Sequence, residues 1–181
     1  MKQGTIAKTL LSFSTLSSLN ITPKQEYVPL RSFDKIAPRI FLGNEDASKD
    51  ASFFKKNRIK AVLNCSRDLD MPFKENPKIE YLRIPIDDSL KQADIKKAEE
   101  LIPIAVAFIH KHVVIEKSCV LVHCYAGRQR SAIMLAAYLV SKGKSPIEAC
   151  KLILKKRPEA FHFGTSLNFE KTLEAYARKQ K

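Results

Sequence analysis

The chain has 181 residues, 45% of them apolar, which suits one domain with a real core and leaves too little for a second. With 32 Lys and Arg against 19 Asp and Glu, the formal net charge is +13, pointing to anionic partners such as phosphorylated proteins, nucleic acid or a membrane surface. No apolar run approaches the roughly 18 residues of a membrane span, and Cys65, Cys119, Cys124 and Cys150 form no CxxC pair; a transmembrane segment, a zinc site and a secreted disulfide framework are disfavoured. A reducing compartment is expected, cytoplasmic or nuclear.

Residues 1–32 are rich in Ser and Thr, carry one acidic residue and read as an extension to a domain spanning 33–181. Ile6, Leu10, Phe13 and Leu16 recur at helical spacing, so this segment is either a short helix docking on the domain or on a second copy as a homodimer, or a disordered leader. Its weakly apolar stretch is interrupted by Ser and Thr and lacks an A-x-A-like site, so it is expected to be retained. From Arg39 the pattern changes. "RIFLG" is a short strand ending in a turn glycine, "DASKDASFFKKN" one helix with its apolar side at Ala47, Ala51 and Phe54, "IKAVLNCS" a buried strand and "IEYLRIPI" another.

"ADIKKAEELIPIAVAFIHKHV" has helical period, started from Ala93 or Ser89, and Pro103 inside it is expected to kink or split it. "SCVLVHC" carries too many β-branched and apolar residues to face water and reads as a central, parallel strand. Three helices follow: "RSAIMLAAYLVSK" ending at Gly143, "SPIEACKLILKKR" with Ser145 as N-cap and Pro146 at the first position, and "SLNFEKTLEAYARK" after Gly164. The sum is a single α/β domain with a central, mostly parallel sheet flanked by helices and an anion-binding loop between a central strand and a helix.

That loop is His123-Cys124-Tyr125-Ala126-Gly127-Arg128-Gln129-Arg130-Ser131. A tight loop at a helix N-terminus turns successive backbone N–H groups inward and adds the positive end of the helix dipole, so Tyr125 to Arg130 would bind a dianion. Gly127 supplies the backbone angle such a ring requires, and Arg130 a planar fork for two phosphate oxygens. The field that binds a dianion also stabilises a thiolate, which makes Cys124 the expected nucleophile. Ser131 can donate its hydroxyl to the sulfur when it departs, and His123 is placed to brace the loop rather than transfer protons. A core cysteine beside a basic turn is the plainer alternative. The full pattern, His-Cys, five residues, Arg-Ser, bounded by a strand and a helix, speaks against it.

This pattern is the signature of the cysteine-dependent phosphatases, and the chain resembles a dual-specificity protein phosphatase. "RIFLGNEDAS", "IKAVLNCS", "YLRIPIDDS", "VLVHCYAGRQRSA", "AAYLVSKGKSPIEAC" and "NFEKTLEAY" occur in that family's order over about residues 35–178, with the first 32 residues outside. The resemblance implies hydrolysis of phosphotyrosine and phosphoserine or phosphothreonine in proteins through a phosphocysteine intermediate, with no cofactor and no metal. It also implies a general acid seven positions after Tyr81, which selects Asp88; Asp87 is the alternative.

Arg128 and Gln129 depart from the small or apolar residues common at those sites. A cation at 128 would favour a second anion on the substrate or be merely solvated. Phosphoinositide or other phospholipid headgroups and RNA 5′-phosphates are therefore rival substrates, although no aromatic-interleaved basic patch supports RNA. A phosphate-binding module without turnover is the rival outside enzymes. The chain lacks the length to wall a deep cleft, so a shallow site accepting several phosphoresidues is expected. Cys65 reads as core, or as a thiol that could trap Cys124 on oxidation.

Overall fold

A computed structural model describes residues 31–87, 89, 91–161 and 167–180. Residues 1–30 of the extension, with its apolar stripe, and the dimer suggested from it, lie outside them. Strands β1 (Phe33–Ala37), β2 (Ile40–Gly43), β3 (Ile59–Asn64), β4 (Glu80–Arg83) and β5 (Cys119–His123) form one sheet in the order β1-β2-β5-β3-β4. β1 runs antiparallel to β2 and the other pairings are parallel, so the expected central strand, β5, lies between parallel β2 and β3.

The period-2 alternation of strands divides two cores across this sheet. Ile40 and Leu42 of β2, Ala61 and Leu63 of β3, and Val120 and Val122 of β5 enter the larger core. Phe41, Val62 and Leu121, from the same strands, enter the smaller one. Helices α3 (Gln92–His110), α4 (Arg130–Ser141), α5 (Pro146–Lys156) and α6 (Leu167–Lys179) supply the first, and α1 (Glu45–Lys49) and α2 (Ala51–Asn57) the second. Burial on both faces is why these strands read as unbroken apolar runs.

Three local expectations are corrected. The helix expected over 46–57 is two, because Asp50 leaves the helical region and its carboxylate accepts from Ser52 N at 2.9 Å and Phe53 N at 3.0 Å, capping a new start. This reorientation buries Phe53 beside Phe54 and exposes Ala51. Second, β1 is absent from the predicted elements, since its five residues alternate Ile36 with a buried carboxylate, Asp34.

Third, Pro103 does not split its segment: α3 runs continuously through it into a π-helical turn, Lys111–Ile115. Pro103 is exposed while Ile95, Ala98, Ile102, Ala105 and Ile109 are buried, so the hydrogen bond it forgoes is lost where water can replace it. Helix α5 begins as expected, with Ser145 Oγ accepting from Glu148 N at 3.2 Å, the Glu148 carboxylate returning to Ser145 N at 2.8 Å, and Pro146 first. Among the described residues no helix is long and apolar enough to cross a membrane.

Because Pro103 is tolerated rather than needed, Pro103→Ala is expected to stabilise the fold by about 1–2 kcal/mol, read as a higher urea midpoint at unchanged slope. A loss of stability would show that the proline ring packs or directs the helix.

Candidate active site

β5 ends at His123, and Cys124 follows at the C-terminal edge of the middle of the sheet. The register there is held by β3, whose neighbour Cys65 donates its N–H to His123 O at 2.7 Å. Cys124 is 2% exposed, a recessed floor rather than a surface thiol. Ser131, in the first turn of α4, donates its hydroxyl to Cys124 Sγ at 3.2 Å, across the loop that separates them in sequence.

Between these residues four consecutive carbonyls are held from outside. Tyr125 O accepts from Glu45 N at 3.0 Å, at the start of α1, and Arg128 O from Phe161 N at 2.9 Å. Ala126 O and Gly127 O accept from the Nη2 and Nε of Arg157, at 3.2 and 2.9 Å. None of these peptide bonds is cis, so in each planar unit the next N–H points opposite to its carbonyl. The N–H groups of Ala126, Gly127, Arg128 and Gln129 are thereby turned toward the inside of the loop, a concavity whose polarity suits an anion. Gly127 has φ +66°, and a Cβ there would lie 2.4 Å from Gly43 O and 2.9 Å from an Arg157 nitrogen. Gln129, at the N-cap of α4, is buried and caps no helical N–H with its side chain. Ala126, Arg128 and Arg130 are half-buried and Tyr125 is 65% exposed. The structure thus brings Cys124, the loop and Ser131 together.

Arg157 is the residue sequence reasoning missed. It is fully buried at the C-terminal end of α5, and besides the two loop carbonyls its Nη1 reaches Asp34 Oδ2 at 2.9 Å and Arg31 O at 3.1 Å. Glu159 adds a contact at 3.2 Å and Arg31 pairs with the other Asp34 oxygen at 2.8 Å. Burial raises the Asp34 carboxyl above its ordinary value, and the Arg157 hydrogen bond and the charges of Arg31 and Arg157 offset this only in part. The local signal was an arginine before a proline, "KKRPEA", which names no partner.

His123 is fully buried, and burial pushes it down to about 4, the Cys124 backbone opposing and Arg83 reinforcing the shift. A ring neutral at physiological pH fits bracing rather than proton transfer. Cys65 is fully buried, its thiol raised well above the ordinary value by burial and by Cys124. Of the candidate acids, Asp87 is engaged by Arg67 Nη2 at 2.6 Å, with Asp94 behind at 3.9 Å and Ser89 donating to Asp94. Asp88 lies outside the described residues.

Comparison with known proteins bears on this arrangement. The family described as "Dual specificity phosphatase, catalytic domain" matches residues 40–179. Dual specificity protein phosphatase Mpk3 of Drosophila melanogaster is 40% identical over 139 residues, 74% of this chain and 33% of that protein. Dual specificity protein phosphatase 16 of Homo sapiens is 30% identical over 177 residues, 95% of this chain and 24% of that one. The crystal structure of human DUSP28 superposes with a TM-score of 0.68 at 25% identity, covering 84% of this chain and 96% of that one. This chain therefore spans a third or less of the length of those two curated relatives. It belongs to the dual-specificity phosphatase family, of the cysteine-dependent tyrosine phosphatase superfamily.

Two outcomes are expected from the buried groups. Arg157→Met should cost roughly 3–5 kcal/mol in urea unfolding, because it removes the buried partner of the Asp34 carboxylate and the donor for two loop carbonyls, and should lower aryl phosphate turnover on the order of 10- to 100-fold. Adding Asp34→Asn should recover stability without recovering turnover; joint recovery would make Arg157 a fold element only. For His123, below pH about 6.5 the unfolded chain takes up a proton that the folded chain refuses. Stability should fall as pH drops from about 6.5 to about 4, by on the order of 3 kcal/mol, and His123→Asn should flatten that part of the profile.

Proposed function

We propose that this member of the family is a phosphatase that hydrolyses phosphotyrosine and phosphoserine or phosphothreonine in proteins through a phosphocysteine. The observation that carries the reading is the Ser131 hydroxyl on Cys124 Sγ at 3.2 Å, across a loop whose carbonyls from Tyr125 to Arg128 are held outward. The inward N–H groups and the Arg130 fork hold the three non-bridging phosphate oxygens, and the Cys124 thiolate attacks phosphorus from the floor. As the bond to the leaving oxygen breaks, that oxygen takes a proton from Asp88. Water then attacks the phosphocysteine, giving its proton back to the Asp88 carboxylate. The sulfur–phosphorus bond breaks, and the departing thiolate keeps the Ser131 hydrogen bond. Charge neutralisation by the loop and Arg130 is what a metal would otherwise supply, so turnover is expected to persist in EDTA.

Asp88 is preferred to Asp87 on the resemblance, and the Arg67–Asp87 ion pair at 2.6 Å supports it by giving Asp87 a structural partner of its own. Protein substrates are preferred to lipid headgroups or RNA because the family's protein phosphatases match over most of the chain. Arg128, half-buried, fits a second anion on such a substrate but does not choose among the classes.

Turnover measured without metal on phosphopeptides, a phosphoinositide and a 5′-triphosphate RNA tests the substrate class. Cys124→Ser should abolish it with the fold intact, which separates an enzyme from a phosphate-binding module. Asp88→Asn should cost about 10²–10⁴ in kcat on a phosphoserine peptide and far less on an activated aryl phosphate, with Asp87→Asn much milder. The reverse order of the two aspartates would reassign the acid.

A further inference from the structure

At the opposite end of the sheet from Cys124, where β3 and β4 begin, a cleft of about 410 Å³ opens between α2 and the turn preceding β4. Phe54 and Ile59, both buried, and the half-buried Phe73 and Ile79 give it an apolar interior, the Phe54 and Phe73 rings lying 4.7 Å apart. Around this interior stand Lys55, Arg58, Lys60 and Lys78, all exposed. No carboxylate lines the cleft, and among the described residues none of these four cations makes an ion pair. Arg58 also occupies the left-handed C-cap of α2, φ +53°, where helices most often place glycine. The remaining lining residues are Ala51 and Asn76.

We infer that this cleft is a docking site for a short acidic segment of a protein substrate, one aromatic or aliphatic side chain entering between Phe54 and Phe73 while its flanking carboxylates meet the four cations. The inference rests on the phosphoprotein reading above. Charge decides the occupant. The chain's own first 30 residues, with three lysines and one glutamate, have the wrong sign. A bilayer would want apolar side chains standing out among the cations, whereas the exposed large ones, Ile104, Val114, Ile115 and Tyr125, all lie elsewhere and those of the cleft are recessed. The volume, near the low end of ligand pockets, suits one or two side chains.

The distance gives the site its use. β3 has six residues, so its two ends are roughly 20 Å apart, and a substrate gripping both ends needs at least about six extended residues between docking segment and phosphoresidue. Docking there raises the effective concentration of the phosphoresidue at Cys124 without touching the chemistry.

The test uses the full chain and a fluorescein-labelled peptide, Glu-Asp-Glu-Phe-Glu-Asp-Glu, with a counterpart carrying Ser for Phe, read by anisotropy. A second probe joins the Phe peptide through ten Gly and Ser residues to a phosphotyrosine. Lys55→Ser, Arg58→Gly, Lys60→Ser and Lys78→Ser are combined in one variant, whose thermal unfolding is checked against wild type. Expected are binding at least tenfold weaker for the Ser peptide and for the variant, and a kcat/KM advantage of the tethered over the untethered phosphopeptide in wild type alone. Aryl phosphate turnover should agree within twofold between the two proteins. Equal affinity for both peptides, or for both proteins, would reduce the cleft to a share of the general positive charge and overturn the inference. So would binding of phosphatidylserine vesicles that needs the four cations when the peptide does not. Loss of aryl phosphate turnover in wild type would instead sink the phosphatase reading, leaving the anisotropy result to stand separately.

Discussion

Four neighbouring carbonyl oxygens held away from a single point are the constraint the rest of the molecule serves. Aligned backbone dipoles around an anion site repel one another, so a loop of this shape needs a partner outside it for each reversed peptide. Two of those partners are backbone N–H groups, from the start of α1 and from the segment after α5. The other two come from one buried guanidinium, Arg157, whose planar fork bonds two adjacent carbonyls, a carboxylate and a third carbonyl at once. An ammonium could not match that geometry. A buried cation is costly, and the raised carboxyl of Asp34 shows that its counterion shares the cost.

The sheet makes this arrangement rigid. β5 is flanked by parallel neighbours and buried on both faces, so the residue after it inherits a fixed position and direction. The glycine ending β2 lies so close to the loop that a Cβ on Gly127 would stand 2.4 Å from the Gly43 carbonyl oxygen, while a Cβ on Gly43 itself would stand 2.8 Å from the Ala47 side chain. β1, antiparallel at the sheet's edge, contributes the Asp34 carboxylate to the buried pair beneath the loop. Thus the first described strand and the end of α5 meet at the loop after Cys124, and packing energy is converted into orientation there.

What could be read from the sequence was whatever is local. The strand, loop and helix around Cys124 announce themselves within a dozen residues, because thiol, glycine, arginine and hydroxyl must follow one another closely to share one anion. The central strand was legible because burial on both faces removes polar residues from it. Arg157 was not, since its partners lie 30, 123 and 126 residues away. Pro103 misled because its cost depends on which side of α3 meets water, and that is set by α4 and α6 rather than by α3 itself. Asp50 misled in the opposite way: its side chain competes for backbone N–H groups that the apolar spacing assigns to one continuous helix.

The long sequence separations around Arg157 also order events during synthesis. Asp34 leaves the ribosome first, the Cys124 loop far later, and Arg157 some thirty residues after that, a delay of roughly 2–7 s at ordinary elongation rates. Until then the loop lacks the donor for two of its carbonyls and has no means of presenting its N–H groups together. A nascent chain can thus expose its thiol to solvent or to the translation machinery before it can concentrate a phosphate there. The outside partners of the loop carbonyls are all present only once the end of α5 and Phe161 beyond it have emerged. In a domain built in this order the contacts that hold the loop are completed well after the thiol itself has emerged.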